Sequence, residues 1–193
     1  MICIMFLFLE KEYIKEISSR KGERIKNTLT QQLRDEHKEL IPHIEYILEV
    51  ANSIPDAPLD TIRDGVNEVF EFLAYHLVPH AQAEDAVLYP AVQRALGSPD
   101  ATRTMSRDHV EVGHYIDELS LLKDTVSAGN FKELQRVLYG VYALVKVHFA
   151  KEEEVYIPIL ENWLTPEQAA EMFEKMETAA RHFAGQRDLL IVA

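Results

Sequence analysis

Cysteine is nearly absent from this chain: Cys3 is the single one in 193 residues. That excludes an internal disulfide framework and any multi-cysteine zinc site. It leads us to expect a reducing compartment, most simply the cytoplasm. Glycine and proline are scarce too, at 7 and 8 residues, too little turn material for an all-β fold. Basic side chains are outnumbered, 20 Lys and Arg against 32 Asp and Glu, for a net charge of -12. A nucleic-acid backbone or an anionic membrane is therefore not the expected partner. The apolar opening MICIMFLFL is too short to span a bilayer and lacks the basic start and cleavage site of a secretory signal. Residues 1–27 are expected to form an extension packing on the body, the alternative being a wrongly assigned start. The chain also has no His-Glu-x-x-His helix, no Gly-rich phosphate loop and no Cys-x-x-Cys-His haem attachment.

What is present is 47% apolar and 27% charged residues, enough to bury the core of one globular domain. The periodicity is helical almost throughout. Leu33, Leu40, Ile44, Ile47 and Leu48 share a face of a first helix, in which Pro42 predicts a kink. IPDAP ends it, LGSPDA ends a second helix that Pro79 should kink or restart, and SAGN ends a third. A long fourth helix follows from Phe131. Thr165-Pro-Glu-Gln168 then reads as a capping box that opens a fifth, predicted to run to about His182.

The chain repeats itself. His80 precedes Glu84 by four residues and a Pro follows that Glu six residues on; His148, Glu152 and Pro158 repeat the spacing. Each pair follows a lone His on the preceding helix, His37 by 43 residues and His109 by 39. Residues four apart share a helical face. Two such hairpins predict an all-α, up-down four-helix bundle over residues 28–164, with an additional helical segment at each end, 1–27 and 165–193. Its interior would receive four imidazoles and two carboxylates, and unpaired charges buried there would be very costly. Metal removes that cost, and carboxylates able to bridge favour a dinuclear site. Any one of these histidines alone reads as a core or surface residue; six candidates in repeat register read as ligands.

This pattern, His37, His80-x-x-x-Glu84, His109 and His148-x-x-x-Glu152, resembles the hemerythrin-like (HHE cation-binding) family over about Leu33 to Leu164. The resemblance implies two iron ions in a non-haem di-iron centre. His37 and His80 would serve one iron, His109 and His148 the other, with Glu84 and Glu152 bridging. The oxygen-carrying hemerythrins place a second His one turn along the third helix, where this chain has Gly113, and use His-x-x-x-x-Asp where it has His148 and Glu152. Both departures argue against reversible oxygen carriage.

Three functions follow: binding or sensing of oxygen, nitric oxide or iron; a di-iron redox enzyme consuming peroxide; and a bundle with a structural metal. The expected partner is a small diatomic ligand or peroxide. The ferritin-like alternative needs Glu-x-x-His twice, and only Glu111 to His114 matches. His76, one turn before His80, is a candidate seventh ligand that Pro79 should rotate away. His114, five residues from His109 and off its face, is not expected to be a ligand, and His43 and His182 are expected at the surface. Asp85, Glu153 and Glu154 are expected to face solvent, Tyr89 and Tyr156 to pack or cap, and Phe149, Leu77 and Val147 to be core.

Overall fold

The computed structural model describes residues 29–191, with side chains as far as residue 185. The N-terminal extension expected over 1–27 lies outside the described residues. Among the described residues there is no strand, and no helix is long and apolar enough to cross a membrane.

Helix α1 is Gln31–Ser53. It continues through Pro42 as one α-helix, because Pro42 and Lys38, whose carbonyl loses its partner, are both exposed to water. Helix α2 spans 59–96 and α4 spans 131–163, each built of α-helical segments joined by wider π-turns. Helix α3 is Arg103–Lys123 and α5 is Pro166–Ile191, longer than its predicted end near His182. Gly97, at φ 65°, ends α2: the Ser98 N–H reaches back to the Gln93 carbonyl and the Gly97 N–H to that of Arg94. The capping box forms as predicted, with the Thr165 N–H donating to Gln168 Oε1 at 2.9 Å and the Gln168 N–H to Thr165 Oγ1 at 3.3 Å.

The π-turns explain the repeated prolines. The residues just before Pro79, Pro90 and Pro158 are Val78, Tyr89 and Ile157. Each donates its N–H five residues back, to the carbonyls of Leu73, Glu84 and Glu152. Each Pro thereby falls in the first turn of the next α-segment, where its missing N–H costs least. Two of the three π-turns begin on the predicted ligands Glu84 and Glu152.

Helix α1 packs on α2 and α4, and α3 packs on the same two, which closes the four-helix ring. Helix α5 lies along residues 73–88 of α2. Two apolar clusters fill the interior. One is built from Ile44, Ile47, Val69, Leu73, Leu119, Leu138 and their neighbours. The other joins Leu33, Leu88, Met105 and Leu160 to Met172, Phe173 and Met176 of α5. On α1, α2 and α3 the predicted ligands fall between the residues of the first cluster and those of the second, and on α4 His148 and Glu152 flank Phe149 at the end of the first cluster, before Ile157 of the second. The polar layer is thus sealed by apolar side chains above and below.

Candidate metal centre

All six predicted site residues converge in that layer. His37, Glu84 and Glu152 are at most 1% exposed, and His148 is buried at 4%. His80 and His109 are slightly more open. Glu84 divides its carboxylate: Oε1 lies 2.9 Å from His80 Nε2 and 3.8 Å from His37 Nε2. Its Oε2 lies 3.3 Å from His109 Nε2 and 3.9 Å from His148 Nε2. Glu152 divides likewise, with Oε2 3.6 Å from His37 Nε2 and Oε1 3.4 Å from His148 Nε2. Two groups able to hold a cation result, His37 with His80 and Glu84, and Glu84 with His109 and His148.

Four of these atoms have no hydrogen bond: His37 Nε2, His80 Nε2, Glu84 Oε1 and Glu152 Oε2. They face one another in the first half of the layer. With neither protons nor a cation among them, four such buried atoms would cost several kcal/mol, at about 1–3 kcal/mol each. A cation among them satisfies all four, and imidazole with carboxylate suits iron, zinc, copper or nickel. The donor set therefore fits a metal.

The outer nitrogens show why the imidazoles point as they do. His37 Nδ1 meets Glu153 Oε1 at 2.7 Å, and Arg34 in turn holds Glu153. His109 Nδ1 meets Asp85 Oδ2 at 2.8 Å, with the Ser106 hydroxyl donating to Asp85. His148 Nδ1 meets Asp108 Oδ2 at 3.1 Å, and Lys151 donates to Asp108. His80 Nδ1 is more loosely placed, 3.9 Å from Glu36. An Nδ1–H held outward by a carboxylate leaves the Nε2 lone pair facing inward for a metal.

Glu153 is half-buried, which corrects the expectation that it faces solvent; Asp85 and Glu154 are exposed as expected, though Asp85 also holds His109. The sequence carries the missed signal. Glu36 and Asp108 each precede a lone His and reach the second His of their own hairpin. Asp85 and Glu153 each follow a predicted bridging Glu and reach the lone His of the other hairpin.

Without metal, the cluster holds protons. Burial opposes charge on His37, but Glu153, Glu84 and Glu152 outweigh it and hold the imidazole up at about 9. His109 is likewise held at about 9 by Asp85 and Glu84 against burial, and His148 at about 10 by Glu152 and Glu84. His80 is raised as well, burial being overcome by Glu84. Glu84 moves the other way, well below the usual carboxylate range: burial is overcome by His80, His109, His148 and His37.

Tyr89 is a further residue of the cluster that sequence reasoning missed. It is 1% exposed, and its hydroxyl donates to Glu152 Oε1 at 2.7 Å, with His148 Nε2 at 3.2 Å and His109 Nε2 at 3.3 Å. Tyr156 instead bonds the Ala101 carbonyl. The remaining histidines stay outside the cluster. His76 is exposed and stacks near Phe72, which His43 also covers, and His114 pairs with Glu111 on the surface. His182 is exposed. Phe149 and Leu77 are core, as expected. Val147 is 58% exposed, contrary to expectation, because it precedes the inward His148 by one residue and so lies about 100° around the helix.

A cavity of about 230 Å³ reaches the cluster between α2 and α3, floored by His80, Glu84, His109 and His148. Its walls include Leu77, Val112, Val145 and Phe149, and Gly113 lines it as well. A Cβ added at Gly113 would meet nothing within 4 Å. The ring of Phe149 lies 4.5 Å from that of His37 and 6.0 Å from that of His80, an apolar screen beside the polar layer.

Comparison with known families agrees with this geometry. The family model of the hemerythrin HHE cation binding domain matches residues 28–160, most of the chain. The chain belongs to that family, and with its buried His/Glu cluster it is a metal-binding protein. No curated protein and no solved structure matches it.

Proposed function

We propose that this hemerythrin HHE family member holds two iron ions and binds a small ligand there, oxygen or nitric oxide, as a binding or sensing protein. One observation carries the reading: Glu84 and Glu152 each turn one oxygen toward His37 and the other toward the His109/His148 pair. A single ion would need no such division. Carboxylates placed between two imidazole pairs favour two ions, and this donor set suits iron. When bound, iron would supply one-electron redox chemistry and coordination positions for an exogenous ligand.

The chain's own contribution is readable residue by residue. His37 and His80 would hold one ion, His109 and His148 the other, and Glu84 and Glu152 would span both. Asp85, Asp108 and Glu153 keep imidazole Nε2 atoms aimed inward, while Phe149 and Leu77 exclude bulk water. Metal analysis of protein purified without added metal tests the reading. Close to two irons per chain are expected, with a spectrum that responds to azide or nitric oxide. One tightly held zinc and no iron, after expression in iron-replete cells, would sink it.

A second reading, an enzyme that consumes peroxide, is favoured by the cavity beside Gly113. It brings a small reactant up to both imidazole pairs, an access that a structural metal would not need. Peroxide turnover faster than that of the same iron free in solution supports the enzyme. Gly113→Leu, which narrows the cavity without touching a proposed ligand, should slow ligand entry severalfold at unchanged iron content.

A further inference from the structure

We infer that Tyr89 is a seventh metal-ligating side chain, binding through its phenolic oxygen to the ion held by His109 and His148. This rests on the two-iron reading above and goes beyond its six residues.

The geometry is that of convergence. Tyr89 Oη lies 3.3 Å from His109 Nε2, the same separation that Glu84 Oε2 has from that nitrogen. It is 3.2 Å from His148 Nε2 and 2.7 Å from Glu152 Oε1. The two imidazole Nε2 atoms are themselves 3.0 Å apart. Both have Nδ1 turned to carboxylates, Asp85 and Asp108, so both present lone pairs inward. The phenol has one proton and spends it on Glu152. With both imidazoles deprotonated, as metal binding requires, its oxygen is one more electron-rich atom converging on the same point as the two nitrogens, an arrangement that a cation resolves.

Position along the chain makes this ligand one-sided. Tyr89 stands five residues after Glu84, at the end of the π-turn and directly before Pro90. Five residues after Glu152 the chain has Ile157, fully buried in the second apolar cluster. Tyr156 is one place earlier and turns away to Ala101. The His37/His80 ion would gain no phenol and would keep more of its coordination free for an incoming ligand. On metal loading the phenolic proton leaves to solvent and the oxygen's lone pair goes to the metal, with no change of oxidation state.

The test is resonance Raman and visible absorption of the full-length ferric protein, alongside its iron content. Expected are a visible phenolate-to-iron charge-transfer band and enhanced tyrosine ring modes that shift when the protein is grown on ring-deuterated tyrosine. Tyr89→Phe should abolish both. Full iron content without phenolate modes in the parent protein would overturn the inference, leaving Tyr89 as a hydrogen-bond donor to Glu152. Ring modes that persist in Tyr89→Phe would overturn it too. A chain that takes up no iron would instead overturn the two-iron reading, and this inference with it. The labelled parent decides the matter even if the variant fails to fold.

Discussion

The two halves of the polar layer are written by one repeated phrase, yet they differ chemically. Around His37 and His80, four buried atoms face each other with no hydrogen bond among them. Around His109 and His148 the corresponding atoms are engaged by one another and by the Tyr89 hydroxyl. One insertion-free shift is responsible: tyrosine adjoins the Pro in the first hairpin and stands one residue further off in the second. In a helix a single residue is about 100° of rotation, the difference between facing the polar layer and facing Ala101. A sequence repeat thus guarantees the shared His and Glu side chains of the layer and leaves their neighbours free to diverge.

The comparison breaks most sharply at the residues the halves share. Glu84→Ala removes an oxygen from both halves, so metal content should fall from near two ions per chain to near none. His37→Ala touches one half only and should leave about one ion. Equal losses in the two variants, read by elemental analysis, would show that the halves are not separate sites.

Weaker effects should come from the carboxylates behind the imidazoles. Asp85→Ala and Glu153→Ala should each weaken metal affinity about 10–100-fold, the first in the His109 half and the second in the His37 half. Competition with a chelator reads this directly. No change in either variant would reduce these contacts to surface pairing.

The proton-held, metal-free state gives a pH signature. His37 and His109 near 9 and His148 near 10 stand above the ordinary value of about 6.5 for an unfolded chain. Groups raised by folding contribute stability that is complete below about pH 6.5 and is lost as pH climbs through 9 to 10. Glu84, depressed by folding, acts at the other end: its contribution is present above about pH 4.3 and is lost as pH falls further. The Tm of metal-free protein should therefore fall between pH 6.5 and 10, and metal-loaded protein should fall less, since ions replace the protons. Equal slopes with and without metal would contradict the cluster's electrostatics.

The smallest effect tests the boundary of the layer. His76→Ala and His114→Ala should leave metal content unchanged, because both side chains are exposed and one pairs with Glu111. Loss of an ion in either would mean that the layer extends further than its buried residues.

What the amino-acid order determined by itself was everything that depends on helical period and repetition: the all-α bundle, the capping box at Thr165, and the convergence of His37, His80, Glu84, His109, His148 and Glu152. Period and register are local properties, so spacing alone reveals them. Tertiary packing decided the rest. Asp85 and Glu153 reach imidazoles of the opposite hairpin, across 24 and 116 positions of chain, and adjacency to a ligand in sequence does not say which way a carboxylate turns. Tyr89 enters the layer because the π-turn before Pro90 resets its angle, which an ideal helical period does not describe. Val147 lies outside because apolar character sets a preference for burial, while the inward aim of His148 leaves its neighbour no room in the core.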